Sequence, residues 1–190
     1  MARYGPEADL VGRLYTRSGD AGTTGLLGGP RVSKSHARID ALWDVDEANA
    51  AIGVALSSQT EALVIDALRQ AQNVLFTVGA EVATKAGSRA KVPRVSKEDV
   101  LALEVAMEGI DVGDLGEFVM PRGSPAVASL HHARTVVRRA ERRCVALGKR
   151  ETINPELLRY LNRLSSFLFQ AAVWVQRRER RPSEHPTYRR

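Results

Sequence analysis

After Ser124-Pro125, the residues Leu130, Ala133, Val137, Ala140, Cys144 and Leu147 recur at steps of three and four, with no glycine or proline between them. That rhythm is one face of an α-helix; a strand, whose side chains alternate every two residues, cannot keep it. The seam is built from small and medium apolar groups and has to be buried against another element. A chain with such a segment at its heart is therefore constrained to packed helices. Ser124 supplies the cap and Pro125 the pre-set first turn.

The same spacing returns in four other places. Leu42, Val45, Asn49, Ile52 and Leu56 mark a first helix, and Val64, Leu68, Ala71, Leu75, Val78 and Val82 a second that fades into the turn-rich stretch 86–93. Ser96, with Glu98 and Asp99 close behind, opens a shorter third helix striped by Val100, Leu103, Met107 and Ile110. A loop from Asp111 to Gly123 leads into the segment described first. Asn154-Pro155-Glu156 then repeats the cap logic ahead of Leu157, Leu161, Leu164, Leu168, Ala171 and Val175, with Pro182 as the last place this helix can end.

Only 5% of the 190 residues are aromatic, which suits closely packed helices better than a strand-rich sandwich. The expected fold is all-α: an antiparallel five-helix bundle over residues 39–181, one domain together with an extended glycine-rich N-terminal arm over 1–38, and a basic tail over 182–190. The single cysteine, Cys144, excludes an internal disulfide and a cysteine-based zinc site, and points to a reducing, cytoplasmic setting. No run approaches the roughly 20 apolar residues that cross a bilayer, so no membrane partner is expected. The net charge of +6 is weighted toward Arg177-Arg178-Glu179-Arg180-Arg181 and Arg189-Arg190, a pattern read as a solvated helix end and tail. Nucleic acid is accordingly disfavoured as a partner.

Three features can carry chemistry. The segment from Thr16 to Lys34 combines glycines, hydroxyls and the cations Arg17 and Lys34, the ingredients of a phosphate cradle, although it lacks the Gly-Lys-Ser/Thr of a P-loop. Arg134, Arg138 and Arg142 stand four apart and form one cationic stripe beside the fourth apolar seam. Asn162 and Asp46 flank seams where a polar group needs a partner: the first is either a helix-to-helix tie or a ligand contact, the second a candidate for an arginine of the stripe. His131-His132 does not make a metal site, since adjacent helical residues point about 100° apart and no acidic or cysteine partner stands at the right spacing.

Taken together, Thr16-Arg17-Ser18-Gly19-Asp20-Ala21-Gly22-Thr23-Thr24, Arg31-Val32-Ser33-Lys34, Val45-Asp46-Glu47, Arg138-Arg139-Ala140-Glu141-Arg142 and Asn154-Pro155-Glu156 to Asn162-Arg163-Leu164-Ser165 closely resemble the PduO-type ATP:cob(I)alamin adenosyltransferases. The resemblance runs from about Leu14 to Val175. It implies a homotrimer of five-helix bundles with ATP and a corrinoid held at each subunit interface. Mg2+ would accompany the triphosphate, with no metal held by protein side chains alone. Transferred position by position, Thr16, Arg17, Ser18, Gly19, Thr24, Gly25 and Lys34 would wrap the nucleotide, and Arg138, Arg139, Glu141, Arg142 and Asn162 would complete its site, Arg138 being the chief triphosphate contact. Asp46 would pair with Arg134 across a subunit interface. Phe118 and Phe169 would face the corrinoid, Phe118 helping to displace its lower axial ligand.

The implied reaction is attack by Co(I) on the ribose 5′ carbon of ATP with release of triphosphate. A cobalt reductase and a B12-dependent acceptor enzyme are the implied protein partners. A corrinoid-binding delivery protein for a B12-dependent mutase, or a basic helical nucleic-acid binder, are the alternative readings. This chain departs from the family pattern at Arg122, where a second glycine is usual, at Trp43, in place of a glycine, and at Ser166, in place of a common Asp.

Overall fold

The computed structural model describes residues 17–85 and 87–187; Thr16, one of the expected nucleotide contacts, lies outside them. Five helices dominate: α1 (Ala37–Ser57), α2 (Ala62–Ala83), α3 (Lys97–Glu108), α4 (Pro125–Gly148) and α5 (Pro155–Arg178). Three of the starts follow from their caps. Ser96 and Asp99 form a reciprocal capping box at α3, the Ser124 hydroxyl accepts from the Val127 amide at α4, and the Asn154 side chain accepts from the Glu156 amide at α5. Helix α1 begins earlier than its apolar run suggests, because His36 caps it through the Arg38 amide and Ile39 is already buried.

Helix α1 packs against both α2 and α4, and α5 against both α4 and α3. The seams read from the sequence are the buried ones: Ile52, Leu68, Leu75, Leu130, Leu161, Leu164 and Leu168 are each at most 1% exposed. Ile110 keeps its place in the core although α3 has already ended, so the apolar stripe outlasts the helix that carries it. No helix among the described residues is long and apolar enough to cross a membrane.

One buried cation ties three parts of the fold together. Arg38, 3% exposed, donates to the carbonyls of Val82 (2.7 Å) and Thr84 (2.8 Å) and pairs with Glu151 in the α4–α5 connection. It thereby satisfies carbonyls at the end of α2 that have no partner inside the helix.

The glycine-rich segment differs from the extended arm expected of it. Strand β1 (Thr23–Gly25) pairs antiparallel with β2 (Arg31–Ser33), with Thr24 opposite Val32, and the reversal between them uses a positive φ of 66° at Gly28. The hairpin is hooked onto the end of α2: the Leu27 amide donates to the Ala83 carbonyl (2.9 Å) and the Lys85 amide to the Leu27 carbonyl (3.4 Å). Strands of three residues show too little alternation to be read from sequence.

Candidate active site

The hairpin organises the first group of expected site residues. Arg31 donates to the Ser18 carbonyl at 2.6 Å and to the carbonyl and hydroxyl oxygens of Thr23 at 2.9 and 3.2 Å. The turn from Arg17 to Gly22 is thus fastened to β2. The Lys34 amide donates to the Gly22 carbonyl (2.9 Å), which carries the Lys34 side chain back over the turn. A methyl group at Gly19 would stand 3.2 Å from the Lys34 ammonium nitrogen, so the cation lies close against the backbone there and a side chain would make it shift by a few tenths of an ångström. Arg17 has a φ of 59° and Gly22 one of 76°, both in the left-handed region. Ser18, Gly19 and Lys34 are therefore brought together, with Thr24 and Gly25 in the adjoining strand. Arg31, the residue that holds this turn, was noted in the sequence only as part of a motif; its role depends on a hairpin invisible at that level.

The second group lies on the α4–α5 face. Arg134, Arg138, Ser165, Ser166 and Phe169 line a cavity of about 420 Å³ that also reaches Asp111 and Gly113 after α3. The Arg134 guanidinium carbon sits 5.6 Å from the centre of the Phe169 ring, a cation–π distance, and its buried Nε has no hydrogen-bond partner. Burial, and then the charge of Arg138, lower the pKa of Arg134. The buried His131 ring lies 6.1 Å from Phe169, tilted by 57°. The Arg138 side chain is exposed and has no ion pair among the described residues, while Arg142 donates to the Arg138 carbonyl at 3.2 Å. Next to this cavity, Asn162 donates to Glu141 at 2.9 Å, a bond that joins α5 to α4 and orients both side chains.

Arg139 points elsewhere. Neighbouring helical positions diverge by about 100°, and Arg139 pairs with Asp44 (3.5 Å) and Glu47 on α1. The hydrogen bond with Glu47, ahead of the nearby Asp44 charge, raises its pKa. Asp46, between those two acids, faces neither: it is exposed and borders an apolar cavity of about 580 Å³ between the hairpin, α1 and α2, with Gly25, Val45 and Phe76. Asp46 and Arg134 thus line separate cavities of the one chain. Phe118 is 81% exposed on the connection between α3 and α4, outside the cavity that Phe169 lines. Among the described residues, no three His, Cys, Asp or Glu side chains are grouped so that they could hold a metal ion.

The basic run at the end of α5 is largely engaged within the chain. Arg177 donates to the Val112 carbonyl (2.6 Å), Arg178 pairs with Glu61 (3.4 Å) and Arg181 with Glu179 (3.6 Å). The composition pointed only to a solvated helix end and tail; the packed chain adds these internal partners.

Comparison with known proteins finds relatives in sequence and in fold. A family model described as cobalamin adenosyltransferase matches residues 14–175. A corrinoid adenosyltransferase from Citrobacter freundii is 43% identical over 164 residues, which cover 84% of this chain and 93% of that one. One from Mycobacterium tuberculosis is 46% identical over 164 residues, covering 83% and 85% respectively. Among solved structures, a variant PduO-type ATP:corrinoid adenosyltransferase from Lactobacillus reuteri, complexed with cobalamin and ATP, matches with a TM-score of 0.87 at 30% identity, over 93% of this chain and 100% of that one. With a match over most of its length in sequence and in fold, the chain belongs to the cobalamin adenosyltransferase family.

Proposed function

We infer that this chain transfers the 5′-deoxyadenosyl group of ATP to the Co(I) of a reduced corrinoid, forming adenosylcobalamin and releasing triphosphate. Beside family membership, the observation that carries this reading is the α4–α5 cavity, where Arg134 lies against Phe169 and Arg138 has no counter-ion among the described residues. A cation kept next to an apolar wall without a carboxylate of its own suits an anionic, partly aromatic ligand.

In this reaction the cobalt supplies the electron pair for the new Co–C bond, and the pair of the breaking C5′–O bond leaves with triphosphate. No proton has to move at the reacting carbon, so no serine, cysteine or histidine nucleophile is required. The protein contributes by holding the two reactants in line and by countering charge on the leaving group. Arg138 is the chief triphosphate contact, with Arg142 and Lys34 beside it. Ser18, Gly19, Thr24 and Gly25 wrap the nucleotide, Glu141 and Asn162 complete its site from the helices, and Phe118 and Phe169 border the corrinoid. Mg2+ enters on the triphosphate and neutralises part of its charge, as hard cations commonly do with substrate phosphates.

The hairpin that carries the nucleotide turn is hooked through Leu27 to the end of α2, whereas the arginine cavity lies between α4 and α5. This supports a homotrimer of antiparallel five-helix bundles in which each site takes its hairpin from one subunit and its arginines from the next. The separation of Asp46 from Arg134 within one chain supports the same arrangement, with these two pairing between subunits. Arg139, tied to Asp44 and Glu47, serves the site by fixing α4 on α1 as well as through any contact with the nucleotide.

The deciding measurement is single-turnover absorbance with Co(I) corrinoid, ATP and Mg2+. The expected result is loss of the Co(I) band with growth of an alkylcorrinoid spectrum and one triphosphate per Co–C bond. Tight binding of both reactants without Co–C bond formation would refute the transferase reading and leave a delivery protein.

A further inference from the structure

Beyond α5 the chain doubles back on the α3–α4 connection, the segment that carries Phe118. The Met120 amide donates to the Glu184 carbonyl at 2.8 Å, and the Glu184 carboxylate pairs with Arg122. The His185 Nδ1 atom lies 3.0 Å from the Phe118 carbonyl and 3.3 Å from the Glu117 carboxylate. The returning segment is itself anchored: Gln176, 3% exposed, donates to the Pro182 carbonyl at 2.8 Å, and the Arg181 amide donates to the Gln176 carbonyl at 3.1 Å. At the α4 end of the connection, Ser124 donates to Glu179 at 2.6 Å.

The connection has few internal means of holding its shape. Its own hydrogen bonds are short-range, from the Gly113 and Gly116 amides to Asp111 and Asp114 and between near neighbours at Glu117 and Arg122. Fixing the backbone of each such residue costs conformational entropy. The Phe118 ring, 81% exposed, cannot contribute much packing in return. The contacts that hold the backbone at and just after Phe118, at its own carbonyl and at the Met120 amide, come from residues 184 and 185.

We propose that residues 182–187 are a positioning strap for Phe118, with Glu184 and His185 as positioning residues that present its ring to the corrinoid. The proposal rests on the reading of Phe118 as corrinoid-facing. The pairing of Arg122 with Glu184 fastens the returning segment through side chains as well as through the backbone bond at Met120. The strap acts on one half of the reaction only: it orders the corrinoid wall and leaves the nucleotide turn untouched.

The test uses the full-length enzyme with Glu184→Ala and His185→Ala combined, alongside Phe118→Ala and the triple variant. The combined strap variant is expected to raise the corrinoid KM about 5- to 20-fold. It should also reduce the fraction of ATP-bound Co(II) corrinoid that has lost its lower axial ligand, read by absorbance and electron paramagnetic resonance. ATP affinity should stay within about twofold and the unfolding midpoint should not move. In the Phe118→Ala background the strap substitutions should add nothing, because their effect passes through that ring. A charge swap, Arg122→Glu with Glu184→Arg, should recover part of what either single change loses. An unchanged corrinoid KM and Co(II) spectrum beside an impaired Phe118→Ala variant would overturn the strap alone. A silent Phe118→Ala would overturn the reading of Phe118 and the strap with it. Equal losses for ATP and corrinoid would show a merely structural tail and reject the proposal.

Discussion

His131 is buried at 2% exposure with neither ring nitrogen hydrogen-bonded. Burial, and then the charge of Arg134, push its pKa down from 6.5 to about 4. The folded chain therefore holds a neutral imidazole while the unfolded chain takes up a proton below about pH 6.5, so stability is complete above that value and falls as the pH drops toward 4. The urea midpoint is expected to be lower at pH 5 than at pH 7.5, by the equivalent of roughly 1–3 kcal/mol. Replacing His131 by Leu should remove most of that difference; a gap of the same size in the variant would assign it to other groups. Arg138 is the opposite case, a cation on the surface with no ion-pair partner among the described residues. Arg138→Ala should lower the single-turnover rate by about two orders of magnitude, in line with losing an electrostatic contact to a leaving group, while sedimentation and thermal unfolding stay as they were. Loss of assembly with full turnover per intact oligomer would contradict its role.

At the level of elements, the clearest coupling is at the start of α5. Asn154 caps that helix through the Glu156 amide and also donates to Glu81 at the end of α2 (3.1 Å) and to the Val95 carbonyl ahead of α3 (2.8 Å). Asn154→Ala removes the cap and leaves two acceptors short of a donor, so a loss of about 2–3 kcal/mol is expected from denaturant titration. Asn154→Asp should keep the cap yet repel Glu81; if it matched wild type, the cross-link would be irrelevant. The cap itself was legible in the sequence, as were Ser96 and Ser124, because capping is chemistry between residues two or three apart. The seams were legible for the same reason. The cross-links from Asn154 to Glu81 and from Arg38 to the end of α2 were not, since they join residues distant in sequence and show only once the helices are packed. The hairpin was missed because its strands are three residues long and rich in turn formers. The site divided along the same line: the arginine stripe followed from spacing, whereas the grip of Arg31 on Ser18 and Thr23 and the diversion of Arg139 toward α1 required the packed chain.

For the whole molecule, the proposed assembly makes a quantitative claim about mixtures. Lys34→Ala damages the hairpin side and Arg138→Ala the helix side, so either variant alone should be inactive. When the two are unfolded together and refolded as a mixture, a random trimer should regain about a quarter of wild-type activity, the fraction of interfaces that receive an intact half from each neighbour. Activity that stays at the level of the separate variants would mean that each chain builds its own site. The hooking of the hairpin onto α2 carries a further consequence for this geometry. If the nucleotide turn of one chain meets the arginine face of the next, the contact is heterologous, joining two unlike patches, and only the angle between them makes the series close. Because the Leu27 bonds to Ala83 and Lys85 set the angle at which the turn leaves the helices, a change at this hook would alter ring closure before it altered chemistry. The product would be open, filament-like oligomers with competent sites along their length and one incomplete site at each end.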